Sequence, residues 1–115
     1  MMPGLLTTHV LDTARGRPAA GVPVLLEMRT GDGWSEVGRA ATDADGRVRQ
    51  LLPPGSAVIE GTYRLSFDTG TYFRSRGVDA FYPEASIVFT VRDAAQHHHV
   101  PLLLAPYGYS TYRGS

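Results

Sequence analysis

Apolar and polar residues alternate with a period of two along much of this chain, and glycine and proline cut the alternation into short runs. The runs are rich in Val, Leu, Tyr, Phe and Thr, which suit a pleated, half-buried surface better than a helix. The pattern predicts strands near Leu6 to Leu11, Val22 to Arg29, Trp34 to Ala41, Gly61 to Asp68, Ala85 to Val91, His97 to Leu104 and Tyr107 to Tyr112. Thr30-Gly31-Asp32-Gly33 and Thr42-Asp43-Ala44-Asp45-Gly46 read as hairpin connections, with glycines for positive φ and aspartates that can bond their own backbone. One helical turn is expected between Thr71 and Gly77, stopped by Tyr82-Pro83. The expectation is an antiparallel all-β domain, built as a sandwich.

Composition narrows the possible functions. A chain of 115 residues is the size of one domain, so residues 1–115 are read as a single unit. Eleven basic residues balance eleven acidic ones, which gives no general attraction to nucleic acid or to an anionic membrane. There is no cysteine, which removes disulfides, thiolate metal sites and a cysteine nucleophile, and leaves histidine as the main candidate for chemistry. The opening Met1-Met2-Pro3-Gly4-Leu5-Leu6 lacks a basic region followed by a long apolar run, and no later stretch reaches membrane-spanning length. A cytoplasmic protein is the expectation.

The segment Gln96 to Leu104 carries the most chemical information. In a strand, Val100, Leu102 and Leu104 point one way, with His98 on the same side near the strand end. His97, His99, Pro101 and Leu103 point the other way, a mixed surface that suits a cleft or a subunit contact. The residues alone leave alternatives open, since three successive histidines also fit a polar strand entrance or a weak zinc or nickel site.

Separated segments of the chain share one resemblance. They are Thr7-Thr8-His9-Val10-Leu11-Asp12, Arg15-Gly16-Arg17-Pro18-Ala19, Thr42-Asp43-Ala44-Asp45-Gly46-Arg47, His97-His98-His99-Val100-Pro101, and the closing Leu102 to Ser115 with Tyr112-Arg113-Gly114-Ser115. Together they resemble the transthyretin-related 5-hydroxyisourate hydrolases, over almost the whole length. Two departures are visible: His98 stands where the family often has an aromatic residue, and Ala105 replaces a common serine.

The resemblance implies a transthyretin-like (prealbumin-like) sandwich of two four-stranded sheets with one short helix. It implies a homotetramer with sites at the dimer–dimer interface, a small-molecule substrate, and neither cofactor nor metal. Carried over residue by residue, it assigns catalysis to His9, Arg47, His99 and Ser115, and substrate binding to His9, Arg47, Tyr112, Arg113 and Gly114. Either His9 or His99 could take a proton from water, and Arg47 offers a planar cationic fork to a urate-like carbonyl. His97 is a secondary candidate, while Arg49, Trp34 and the Tyr72-Phe73 pair read as structural or surface residues. The competing function is a transthyretin-like carrier that holds a small aromatic ligand in the channel.

Overall fold

Strand β1 (Leu6–Asp12) shows how the sequence builds the molecule: Leu6, Thr8, Val10 and Asp12 are buried, and Thr7, His9 and Leu11 between them are half-buried. Alternate side chains of a strand leave on opposite faces, so one row enters the core and the other faces outward. The computed structural model describes residues 4–115. Met1-Met2-Pro3, read above as part of an opening without a targeting pattern, lie outside the described residues. Among the described residues no helix is long and apolar enough to cross a membrane.

The remaining elements are β2 (Arg17–Pro18), β3 (Pro23–Thr30), β4 (Gly33–Ala41), β5 (Arg47–Val48), β6 (Gly61–Phe67), α1 (Thr69–Ser75), β7 (Ala85–Val91), β8 (His98–Ala105) and β9 (Gly108–Thr111). One sheet runs β4-β3-β6-β7, and the other runs β2-β1-β8-β9 with β5 also paired to β1. The two-sheet sandwich with one short helix is therefore present, and its second sheet gains a fifth strand. That strand and β2 are two residues long, too short to show as alternation in the sequence.

Three expectations are corrected by the structure. The sheets are not purely antiparallel: β1 and β8 run parallel, with Thr7 opposite His99 and His9 opposite Pro101. Parallel neighbours need a long crossover, and here the whole other sheet lies between them in the chain. The Thr42 to Gly46 turn is not a hairpin, because it carries the chain from β4 in one sheet to β5 in the other. Thr42 anchors that crossing: it is buried, its Oγ1 donates to the Ala19 carbonyl at 2.6 Å and accepts from Val22 N–H at 2.9 Å. Finally, α1 begins two residues earlier than expected, because Asp68 caps it by accepting from Thr71 N–H at 3.1 Å.

The core lies between the inward faces. Val24 and Leu26 of β3 and Tyr63, Leu65 and Phe67 of β6 meet Leu6 and Val10 of β1 and Leu102 and Leu104 of β8, all nearly inaccessible. One buried polar pair crosses this interior. Tyr72 Oη donates to Asp12 Oδ2 at 2.7 Å and accepts from Arg15 Nη1 at 3.2 Å, pinning α1 to the end of β1. Loss of water around the phenol raises the Tyr72 pKa, and its bond to Asp12 adds to that.

Candidate active site

The outward face of the β5-β1-β8 sheet gathers residues from three distant parts of the sequence. His9 lies directly opposite Arg47 in the β1–β5 pair, and Thr7 lies directly opposite His99 in the β1–β8 pair. Residues paired in this way share a face, as do positions two apart on one strand. Arg47, His9, Thr7 and His99 therefore form one outward group.

A turn sets Arg47 in place. The Asp43 carboxylate accepts from Asp45 N–H at 2.9 Å and from Arg47 N–H at 3.0 Å, and Gly46 N–H donates to the Asp43 carbonyl at 2.9 Å. The bond from Arg47 N–H is the main cause that holds the Asp43 carboxyl below its ordinary range. Gly46 has φ of 74° and is packed against the Val10 carbonyl, so the turn needs a residue without Cβ. The same turn orients His9, whose Nε2 lies 2.9 Å from the Asp45 carbonyl. A carbonyl only accepts, so Nε2 carries a proton and Nδ1 is the free nitrogen of the neutral ring.

His99 is held on two sides. Its Nδ1 is 2.7 Å from Thr7 Oγ1, and its carbonyl accepts from Gly114 N–H at 2.8 Å. A Cβ at Gly114 would stand 2.5 Å from His99 Cδ2, so the absence of a side chain there lets the tail lie against the imidazole. Nε2 has no hydrogen-bond partner among the described residues. No buried side-chain nitrogen or oxygen is left unpaired among them either, so that nitrogen opens to solvent. The His99 pKa lies below the ordinary 6.5, first because the half-buried ring loses water, then because Arg47 and His9 oppose a further positive charge. The ring is thus kept neutral near pH 7, with an accessible nitrogen able to take a proton.

A depression of about 480 Å³ opens over Thr7, Arg47 and His99 of this group, lined also by Leu5, Thr8, Val48, Arg49, His97 and Ser115. A larger open hollow of about 610 Å³ lies on the opposite sheet, lined by Arg39, Asp68 and Glu84 among others. It has no imidazole, and a need for proton transfer near neutrality favours the smaller depression.

The structure thus groups His9, Arg47, His99, Gly114 and Ser115, while the other two expected residues, Tyr112 and Arg113, border a second recess that His99 also lines. That recess, of about 220 Å³ and between the two sheets, is bordered by Ile87, Phe89, His98 and His99 as well as by Tyr112 and Arg113. The Arg113 guanidinium donates to Gln96 Oε1 at 3.1 Å and lies 3.5 Å from the His97 carbonyl. His98 is buried as its strand position predicts, with Nδ1 donating to the Gln96 carbonyl at 3.0 Å, and burial lowers its pKa.

Three residues of this neighbourhood were not singled out for chemistry. Thr7 holds His99, and its place two residues before His9 on the same strand face was the available signal. Arg49 lines the depression while pairing with Asp43 and Asp45 at 3.8 and 3.4 Å. No sequence signal set it apart from other turn arginines. Thr8 borders the depression but is a core residue, with Oγ1 donating to the Val100 carbonyl at 2.6 Å. Among the described residues, no three His, Asp or Glu side chains converge as a metal site.

A sandwich with an outward histidine-arginine face defines a class, and comparison with known proteins supplies the family. The chain matches the HIUase/Transthyretin family over residues 6–114 and belongs to it. It is 51% identical over 116 residues to 5-hydroxyisourate hydrolase 2 of Rhizobium meliloti, covering 97% of each chain. It is 48% identical over 112 residues to the mouse 5-hydroxyisourate hydrolase, covering 96% of this chain and 94% of that one. Among solved structures, the Klebsiella pneumoniae 5-hydroxyisourate hydrolase superposes with a TM-score of 0.84 at 36% identity, over 97% of this chain and 94% of that one. Sea bream transthyretin in complex with thyroxine superposes at 0.88 with 32% identity, over 95% and 93%.

Proposed function

We propose that this protein hydrolyses 5-hydroxyisourate, opening its six-membered ring at the N1–C6 bond to give 2-oxo-4-hydroxy-4-carboxy-5-ureidoimidazoline. The observation that carries the reading is the solvent-open His99 beside His9 and Arg47 on one sheet face. The Rhizobium meliloti and mouse relatives near half identity are 5-hydroxyisourate hydrolases, whereas the transthyretin neighbour is 32% identical, which favours the enzyme over a carrier.

The chemistry follows from the groups present. In this scheme an imidazole takes a proton from water as its oxygen bonds to C6. Charge moves onto the C6 oxygen, where the Arg47 guanidinium offsets it. The C6–N1 bond then breaks, and the proton held by imidazole passes to N1. His99 is the better placed base, because its ring is kept neutral and its Nε2 is open. His9, donating through Nε2 to the Asp45 carbonyl, positions water or substrate through its other edge. Gly114 lets the tail close beside His99, and Ser115 supplies a polar wall to the depression.

The proposal extends to assembly and place. A homotetramer, with this face at the dimer–dimer interface, would enclose a depression that is open in one chain. Half-buried Leu11 and Leu103 on the same face suit such a contact. The lack of cysteine is compatible with the reducing cytoplasm. The deciding experiment generates 5-hydroxyisourate from urate and follows its ultraviolet absorbance. Catalysed decay with tetramer by sedimentation supports the reading, and decay at the spontaneous rate with the tetramer intact overturns it.

A further inference from the structure

We infer that Gln96 is a positioning residue for the hydrolase site, acting through Arg113 to hold the chain's last residues against His99. The inference deepens the proposed hydrolase reading and rests on it. After β9 ends at Thr111, the tail has one ladder-like bond among the described residues, from Gly114 N–H to the His99 carbonyl at 2.8 Å. A single backbone bond contributes about as much as ordering one residue costs, so it holds a four-residue tail poorly.

The second anchor is the Arg113 side chain. Its Nη2 donates to Gln96 Oε1 at 3.1 Å, a charge-assisted bond, and lies 3.5 Å from the His97 carbonyl. What makes Gln96 an anchor is its own fixation. The Asp93 carboxylate accepts from Ala95 N–H at 2.9 Å, and Gln96 N–H donates to the Asp93 carbonyl at 3.1 Å, closing a tight turn. The Gln96 carbonyl in turn accepts from His98 Nδ1, on a ring only 6% exposed. Gln96 thus projects its amide from a turn tied to the interior, and the tail is gripped on two successive residues. Between them, these grips place Gly114 against the imidazole and Ser115 in the depression beside Arg47. In this role the Arg113 guanidinium is spent on the turn rather than on substrate.

The test compares Gln96→Ala and Gln96→Glu in the full chain, reading the exchange rate of the Gly114 amide and the kinetics of 5-hydroxyisourate decay. Losing one charge-assisted bond should speed exchange and lower kcat/KM by roughly five- to tenfold in Gln96→Ala. Gln96→Glu, which still offers an acceptor to Arg113, should restore both, and melting temperatures should stay together because the side chain is exposed. In an Arg113→Ala background, Gln96→Ala should add nothing further. Unchanged Gly114 exchange in Gln96→Ala overturns the latch. Faster exchange with unaltered kinetics overturns its positioning role. If the unsubstituted protein fails to turn over 5-hydroxyisourate, the proposed function falls instead, and exchange alone decides whether the latch exists.

Discussion

The two sheets of this sandwich both present charged and aromatic groups outward, yet they use them in opposite ways. On the β4-β3-β6-β7 sheet, Arg64 pairs with Glu27 at 2.8 Å and stacks over Trp34 at 4.5 Å, with Arg29 over the same ring at 4.8 Å. Arg39 pairs with Glu36 at 2.9 Å nearby. Arg64 and Arg39 are paired with carboxylates within the sheet and Arg29 lies over the indole, so these cations serve stability and solvation. On the β5-β1-β8 sheet, Arg47 makes no ion pair among the described residues, although its charge is felt by Asp43 in the adjoining turn, and it shares its sheet face with two imidazoles. The difference teaches that polar residues on a sheet face mark a site where they are left unpaired and crowded, not merely where they are numerous.

Substitutions on the two sheets should break that symmetry most sharply. His99→Ala or Arg47→Ala is expected to lower kcat/KM by about a hundredfold or more, the scale of a lost general base or oxyanion donor. Arg64→Ala on the opposite sheet should leave kcat/KM within about twofold while costing about 1–2 kcal/mol of stability, between the surface and buried limits for ion pairs. Steady-state decay assays and urea unfolding of the three variants read both quantities, and the reverse assignment of effects would undo the comparison. A smaller effect is expected from Gly114→Ala, whose Cβ would stand 2.5 Å from His99 Cδ2 and push the ring aside. A displacement of this kind should cost about ten- to a hundredfold in kcat/KM with little change in unfolding midpoint.

The smallest effect concerns pH. The His99 midpoint, followed by imidazole resonances, should lie below 6.5, and in Arg47→Ala it should move upward while remaining below that value, because burial is the larger cause. The sign for stability follows from the same shift. As pH falls below 6.5, the unfolded chain binds protons at His98 and His99 before the folded one does, so stability present above 6.5 declines until the folded values are passed. Stability that rises through this window on acidification would contradict both shifts.

Much of this was legible in the sequence, and the limits have physical causes. Period-two alternation placed His9 with Thr7 and Leu11, and His99 opposite the Val100-Leu102-Leu104 core row, because a strand's faces are fixed by parity alone. Parity says nothing about neighbours, so the parallel adjacency of β1 and β8, 92 residues apart, was invisible. The crossing of Thr42 to Gly46 between sheets was hidden for a similar reason: its Asp and Gly fit a hairpin equally well, and only the buried Thr42 bonds reveal the crossover. The close approach of Gly114 to His99 and the Gln96–Arg113 contact depend on where a tail without alternation comes to rest. Motif resemblance grouped Tyr112 and Arg113 with the site, and within one chain they meet it only through His99, which lines both the depression and the recess between the sheets.

The most direct measurement is an NMR titration of the full protein with an unreactive cyclic ureide shaped like 5-hydroxyisourate, observing the His9 and His99 imidazoles and the Trp34 indole together. Saturable shifts at both imidazoles with an unmoved indole are the predicted result. Shifts at Trp34 with silent imidazoles would place the ligand on the wrong sheet and contradict the account.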